Sequence, residues 1–158
     1  MLDNLRYILI KQFDYFAEQG VKNIKIADEL FVLNPNHFMK ICDMIIERKY
    51  NFNIWAYSRI DTCKPEYLDK LKKAGVNWLG LGIENPSSVI RKEVHKDAFK
   101  NVKIIDIIDS IRNAGINVAA NYIFGLPEET KETFVSKKTT DGATVFENNV
   151  GIRELMEE

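Results

Sequence analysis

The sequence predicts an α/β fold built on a parallel sheet, and three observations carry that prediction. Segments with apolar residues at three- and four-residue steps alternate with short aliphatic and aromatic runs, the rhythm of repeated helix–strand units. Three times a helical segment ends in glycine, then an aliphatic residue, then asparagine within two positions: Gly20-Val21-Lys22-Asn23, Gly75-Val76-Asn77 and Gly115-Ile116-Asn117. Each apolar run closes on polar or glycine-containing residues. Parallel strands joined by right-handed crossovers would gather those residues on one rim.

The elements follow in order. Leu5, Ile8, Leu9, Gln12, Phe13 and Phe16 set a helix that ends at Gly20, which suits a left-handed cap. Val21–Ala27 alternates as a short strand and Asp28-Glu29 sits at its end. Asn34-Pro35-Asn36 starts a second helix whose face is Phe38, Ile41, Cys42, Ile45 and Ile46. Phe52–Tyr57 is a second strand, trailed by Ser58-Arg59-Ile60-Asp61. Lys64-Pro65-Glu66 opens a third helix, with Glu66 at the positive end of its dipole. Asn77–Ile83 is a third strand trailed by Glu84-Asn85-Pro86-Ser87, and Val102, Ile105, Ile108 and Ile111 mark a fourth helix.

The chain is organised around Asn117–Thr130. This stretch begins as a β-branched and aromatic run and stops at Gly125-Leu126-Pro127, before Glu128 and Glu129. A buried strand ending this way suits the carboxyl rim of a parallel sheet, where α/β folds bind ligands. After Lys137 the pattern breaks, leaving a divergent tail over residues 137–158.

At 158 residues the chain is one domain's worth, and 46% apolar with 28% charged residues is an ordinary globular composition. A net charge of −1 makes no electrostatic case for nucleic acid or an anionic membrane. No apolar run approaches the ~18 residues of a membrane span, and Met1-Leu2-Asp3-Asn4 does not open a signal peptide. A cytoplasmic location is expected. Cys42 and Cys63 are too few and too far apart for a disulfide framework or a zinc knuckle, and read as reduced, partly buried thiols. His37 and His95 are isolated, and no metal ligand set is assigned.

From Ile24 to Phe134 the rim segments resemble the radical S-adenosylmethionine (SAM) superfamily, notably the branch often fused to cobalamin-binding domains. The residues that carry the likeness are Ile26-Ala27-Asp28-Glu29, Trp55–Asp61, Leu71–Val76, Gly80-Leu81-Gly82-Ile83-Glu84, Lys96 and Ala114-Gly115-Ile116 through Gly125-Leu126-Pro127-Glu128-Glu129-Thr130. The resemblance implies a partial TIM-type βα barrel over residues 1–136, with about four parallel strands and outer helices. It implies SAM as the small-molecule partner. Asp28 and Glu29 would meet the methionine ammonium, at the place of the family's Gly-Gly-Glu-type motif. Glu84 and Asn85 would meet ribose or carboxylate, and Arg59 and Lys96 would pair with the SAM carboxylate. Asn121, Ile123, Gly125 and Glu128 would line the adenine, with Asn121 replacing the first glycine of the family motif. Each polar residue among them also suits an ordinary solvated position at a helix start or in a surface ion pair.

The family holds a [4Fe–4S] cluster on Cys-x-x-x-Cys-x-x-Cys, and no such spacing occurs here. A cluster is therefore expected only if an upstream segment supplies it, and no catalytic residue is assigned. A sixth strand is not recognisable. The expectation is a fragment or degenerate member, inactive alone, with exposed sheet edges covered by a homodimer or another partner. Two other functions stay open. One is an α/β enzyme using Asp28, Glu29 and Glu84 as acid–base groups or Mg²⁺ ligands. The other is a non-catalytic interaction module.

Overall fold

The computed structural model describes residues 2–84 and 104–123. Their order is α1 (Leu2–Glu18), β1 (Asn23–Lys25), a short 3-10 turn (Phe31–Leu33), α2 (Pro35–Glu47), β2 (Asn53–Arg59), α3 (Pro65–Lys73), β3 (Val76–Glu84), α4 (Ile104–Asn113) and β4 (Asn117–Tyr122). The four strands form one parallel sheet in the order β1-β2-β3-β4. Sequential order with right-handed crossovers places every helix on the same face. Accordingly α1 packs on α2, α2 on α3 and α3 on α4.

The three glycine turns have one physical cause. Gly20, Gly75 and Gly115 have φ of +73°, +91° and +75°. At Gly20 the cap bonds are complete, from the N–H of Gly20 to the Ala17 carbonyl and from Val21 to Phe16, both 3.0 Å. Gly115 and Ile116 repeat the pair onto Arg112 at 2.8 Å and Ile111 at 3.2 Å. These satisfy the last carbonyls of each helix and turn the chain into the next strand.

The recurring asparagines lie along the amino edge of the sheet. Asn53 donates its side-chain amide to the Asn23 side chain at 2.8 Å, and Asn117 donates to the Asn77 backbone carbonyl at 3.1 Å. Lys72 joins them, donating to the Asn77 side chain and to the Gly115 carbonyl, each at 2.6 Å.

Burial alternates along β2. Ile54, Ala56 and Ser58 are buried beneath the helices, while Trp55, Tyr57 and Arg59 are half-buried on the other face. Leu79, Leu81 and Ile83 continue the helix-facing layer on β3. Phe38, Ile41, Leu68, Leu71, Ile108 and Ile111 close over it from α2, α3 and α4. No helix among the described residues is long and apolar enough to cross a membrane.

Two expectations need correction. The strand expected over Val21–Ala27 is only Asn23–Lys25, the three positions in register with Asn53, Ile54 and Trp55 of β2. The chain then turns where the Asp28 carboxylate accepts the Leu30 N–H at 2.9 Å. Arg59 does not trail β2 but is its last residue, paired opposite Gly82. The tail over 137–158 lies outside the described residues.

Candidate functional site

The carboxyl edge of the sheet brings Asp28, Glu29, Arg59, Glu84, Asn121 and Ile123 to one side of the molecule. Arg59 at the end of β2 faces Gly82 on β3, and Gly82 faces Asn121 on β4. Glu84, the last residue of β3, pairs with Tyr122 across a register shift. Asp28 and Glu29 follow β1 and are exposed, as are Asn121 and Ile123. Asn85, Lys96, Gly125 and Glu128 lie outside the described residues, and for Glu84 only the backbone is described.

Arg59 is held. Its Nε donates to Asp61 Oδ1 at 2.9 Å and its Nη2 to Asp61 Oδ2 at 2.7 Å, a two-pronged pair. Asp61 was not among the residues singled out for a ligand, although it stands two positions after Arg59. That spacing brings both side chains to one turn at a strand end.

Further down the face opposite the helices, aromatic side chains make a floor. Trp55 and Trp78 stack with ring centroids 5.4 Å apart and planes 6° from parallel. Tyr57 lies across Gly80, so close that a Cβ there would stand 2.7 Å from the ring. The Lys25 ammonium sits 5.2 Å from the centre of the Tyr57 ring. Small or absent side chains at Gly80, Gly82 and Ala119 keep the middle of this face low. These features arise from pairing across strands, so no single stretch of sequence shows them.

The model of the radical SAM superfamily matches residues 9–136. The chain belongs to the radical SAM superfamily. Among curated relatives it is 27% identical over 115 residues to an uncharacterised methyltransferase of Pyrococcus horikoshii, covering 73% of this chain and 25% of that protein. It is 25% identical over 131 residues to the hopanoid C-2 methylase of Rhodopseudomonas palustris, covering 79% of this chain and 25% of the relative. The chain thus spans about a quarter of the length of these relatives. Among solved structures it resembles the radical SAM methyltransferase TsrM of Kitasatospora setae, described with cobalamin and a [4Fe–4S] cluster bound. The TM-score is 0.66 at 18% identity, over 86% of this chain and 30% of that one. It also resembles coproporphyrinogen III oxidase of Escherichia coli, with a TM-score of 0.53 at 21% identity, over 65% of this chain and 24% of that one. The four strands and their helices are therefore a partial radical SAM barrel of the TIM type. The face of the sheet opposite the helices corresponds to the inside of that barrel.

A radical SAM domain implies SAM and a [4Fe–4S] cluster. The described rim has the chemistry for SAM: an exposed carboxylate at Glu29, a guanidinium at Arg59, an amide at Asn121 and an apolar contact at Ile123. These match an ammonium, a carboxylate and a nucleoside. The cluster does not fit the cysteines present. Cys42 is 0% and Cys63 2% exposed, and burial pushes both thiols up to about 12. A cluster ligand must be a thiolate, and burial favours the neutral thiol.

Proposed function

We propose that this chain provides the SAM-binding wall of a radical SAM active site whose cluster is held by cysteines other than Cys42 and Cys63. The observation that carries this reading is the convergence of Arg59, Gly82, Glu84 and Asn121 on adjacent strand ends, on the side where Asp28 and Glu29 leave β1. Bound SAM supplies a sulfonium whose reductive cleavage is the chemistry of the superfamily.

The chain's own residues bind and orient. Glu29, with the turn at Asp28, accepts from the ammonium of the methionine part. Arg59 pairs with its carboxylate, joined by Lys96, and Glu84 and Asn85 take the ribose. Asn121, Ile123, Gly125 and Glu128 would hold the adenine. The aromatic floor of Trp55, Tyr57 and Trp78 excludes water from below, which strengthens each polar contact above it.

Equilibrium binding of SAM to the full chain tests the assignment. Saturable binding is expected, weakened about tenfold in Arg59→Ala, the loss of one charge-assisted contact. Absence of binding at millimolar SAM, or an Arg59→Ala affinity equal to wild type, refutes the assignment. Anaerobic reconstitution with iron and sulfide is expected to leave the chain without a stoichiometric [4Fe–4S] cluster. A cluster lost on replacing Cys42 or Cys63 refutes the second half of the proposal.

A further inference from the structure

The turn that follows β2 is built more tightly than an exposed ion pair needs. The Arg59 carbonyl accepts three hydrogen bonds: from Ser58 Oγ at 2.9 Å, Thr62 Oγ1 at 3.1 Å and the Thr62 N–H at 3.3 Å. Ile60 and Cys63, 1% and 2% exposed, anchor the turn in the core. The backbone of Arg59 is therefore fixed before its side chain is considered. Asp61 then fixes the side chain, its two oxygens gripping Nε and Nη2 in one plane. The Arg59 and Asp61 side chains are 38% and 19% exposed. Ion pairs that wet contribute little stability, so stability alone is a weak reason for this geometry. Restricting a long, flexible cation to one plane does matter for binding, because the rotamer entropy is lost before the ligand arrives.

We propose that Asp61 is a positioning residue that aims the Arg59 guanidinium at the carboxylate of SAM. This rests on the assignment of Arg59 made above. Asp61 does not touch the ligand; it acts through Arg59. Its own negative charge opposes a ligand carboxylate, so positioning and repulsion make opposite predictions for its removal. Positioning predicts weaker binding, and repulsion predicts tighter binding.

The experiment measures binding of SAM and of decarboxylated SAM to full-length wild type, Asp61→Ala, Asp61→Asn, Arg59→Ala and the Asp61→Ala/Arg59→Ala double variant. Circular dichroism verifies that each is folded. Asp61→Ala is expected to weaken SAM about tenfold, Asp61→Asn to fall between, and the double variant to match Arg59→Ala alone. Decarboxylated SAM is expected to bind Asp61→Ala and wild type within about twofold, because the group Arg59 serves is gone. A second readout needs no ligand: the Arg59 Nε–H signal in nitrogen-15 NMR is expected to persist in wild type and to be lost to solvent exchange in Asp61→Ala. Tighter SAM binding by Asp61→Ala, equal weakening of both ligands, or additive losses in the double variant overturns the positioning role. An Arg59→Ala variant that binds SAM like wild type overturns instead the assignment of Arg59, and this role with it.

Discussion

Gly75→Ala is the substitution whose cost follows most directly from the coordinates. Gly75 has φ of +91°, and an alanine forced into left-handed backbone costs ~1–2 kcal/mol. Its Cβ would also stand 2.7 Å from the Phe52 carbonyl oxygen, a backbone atom that cannot swing aside. The two residues after Phe52 are tied to neighbouring segments: Asn53 donates to the Lys22 carbonyl at 2.7 Å and Ile54 to the Gly75 carbonyl at 2.9 Å. Relief therefore means moving the start of β2 against β1 and β3. Overpacking of this kind costs ~1–3 kcal/mol, so the expected total is about 3 kcal/mol. Gly20→Ala is the control, since φ there is +73° but nothing lies within 4 Å of the new Cβ. Its expected cost is ~1–2 kcal/mol, from the backbone alone. Urea unfolding of the full chain, followed by the fluorescence of Trp55 and Trp78, gives both values from midpoint and slope. A difference between the two variants of less than ~0.5 kcal/mol, well below the cost assigned to overpacking, would refute the steric argument.

Other outcomes follow from the buried thiols and from the contact between α1 and the segment after α2. Cys42 and Cys63 are expected to resist a disulfide reagent at pH 8 in the native chain and to react fully in urea; rapid native labelling of either refutes their burial. Because burial raises both thiols from 9.0 to about 12, the unfolded chain loses their protons first. Their contribution to stability is complete below pH ~9 and is lost as pH rises toward 12. Urea midpoints measured across that window should fall less steeply in Cys42→Ala/Cys63→Ala, and an unchanged slope refutes the linkage. Tyr50 donates its hydroxyl to Asp14, the largest cause holding that carboxyl below its usual range, ahead of Arg48. Tyr50→Phe is expected to raise the Asp14 pKa in an NMR titration; a value unchanged from wild type refutes that attribution.

The helices, the strands and their parallel sense were legible along the chain. Apolar spacing and glycine turns are local properties, and Gly20, Gly75 and Gly115 state their backbone conformation in the residue type alone. The radical SAM resemblance was legible too, since motif order along the chain survives without coordinates. The repeated asparagines were visible as a pattern but not as a device. Asn23 meets Asn53 only where β1 lies beside β2, and Asn117 meets the Asn77 carbonyl only where β3 lies beside β4. Register is what the sequence withheld. It set Arg59 inside β2 opposite Gly82, stacked Trp55 on Trp78 and drew Tyr57 across Gly80. The shortness of β1 was withheld as well, because where its ladder with β2 stops depends on the turn that Asp28 makes with Leu30. Asp61 likewise became a partner for Arg59 only once the turn after β2 had closed. Contacts local in the chain can be read from spacing, whereas contacts between strands are decided by which residues face each other after the sheet has formed.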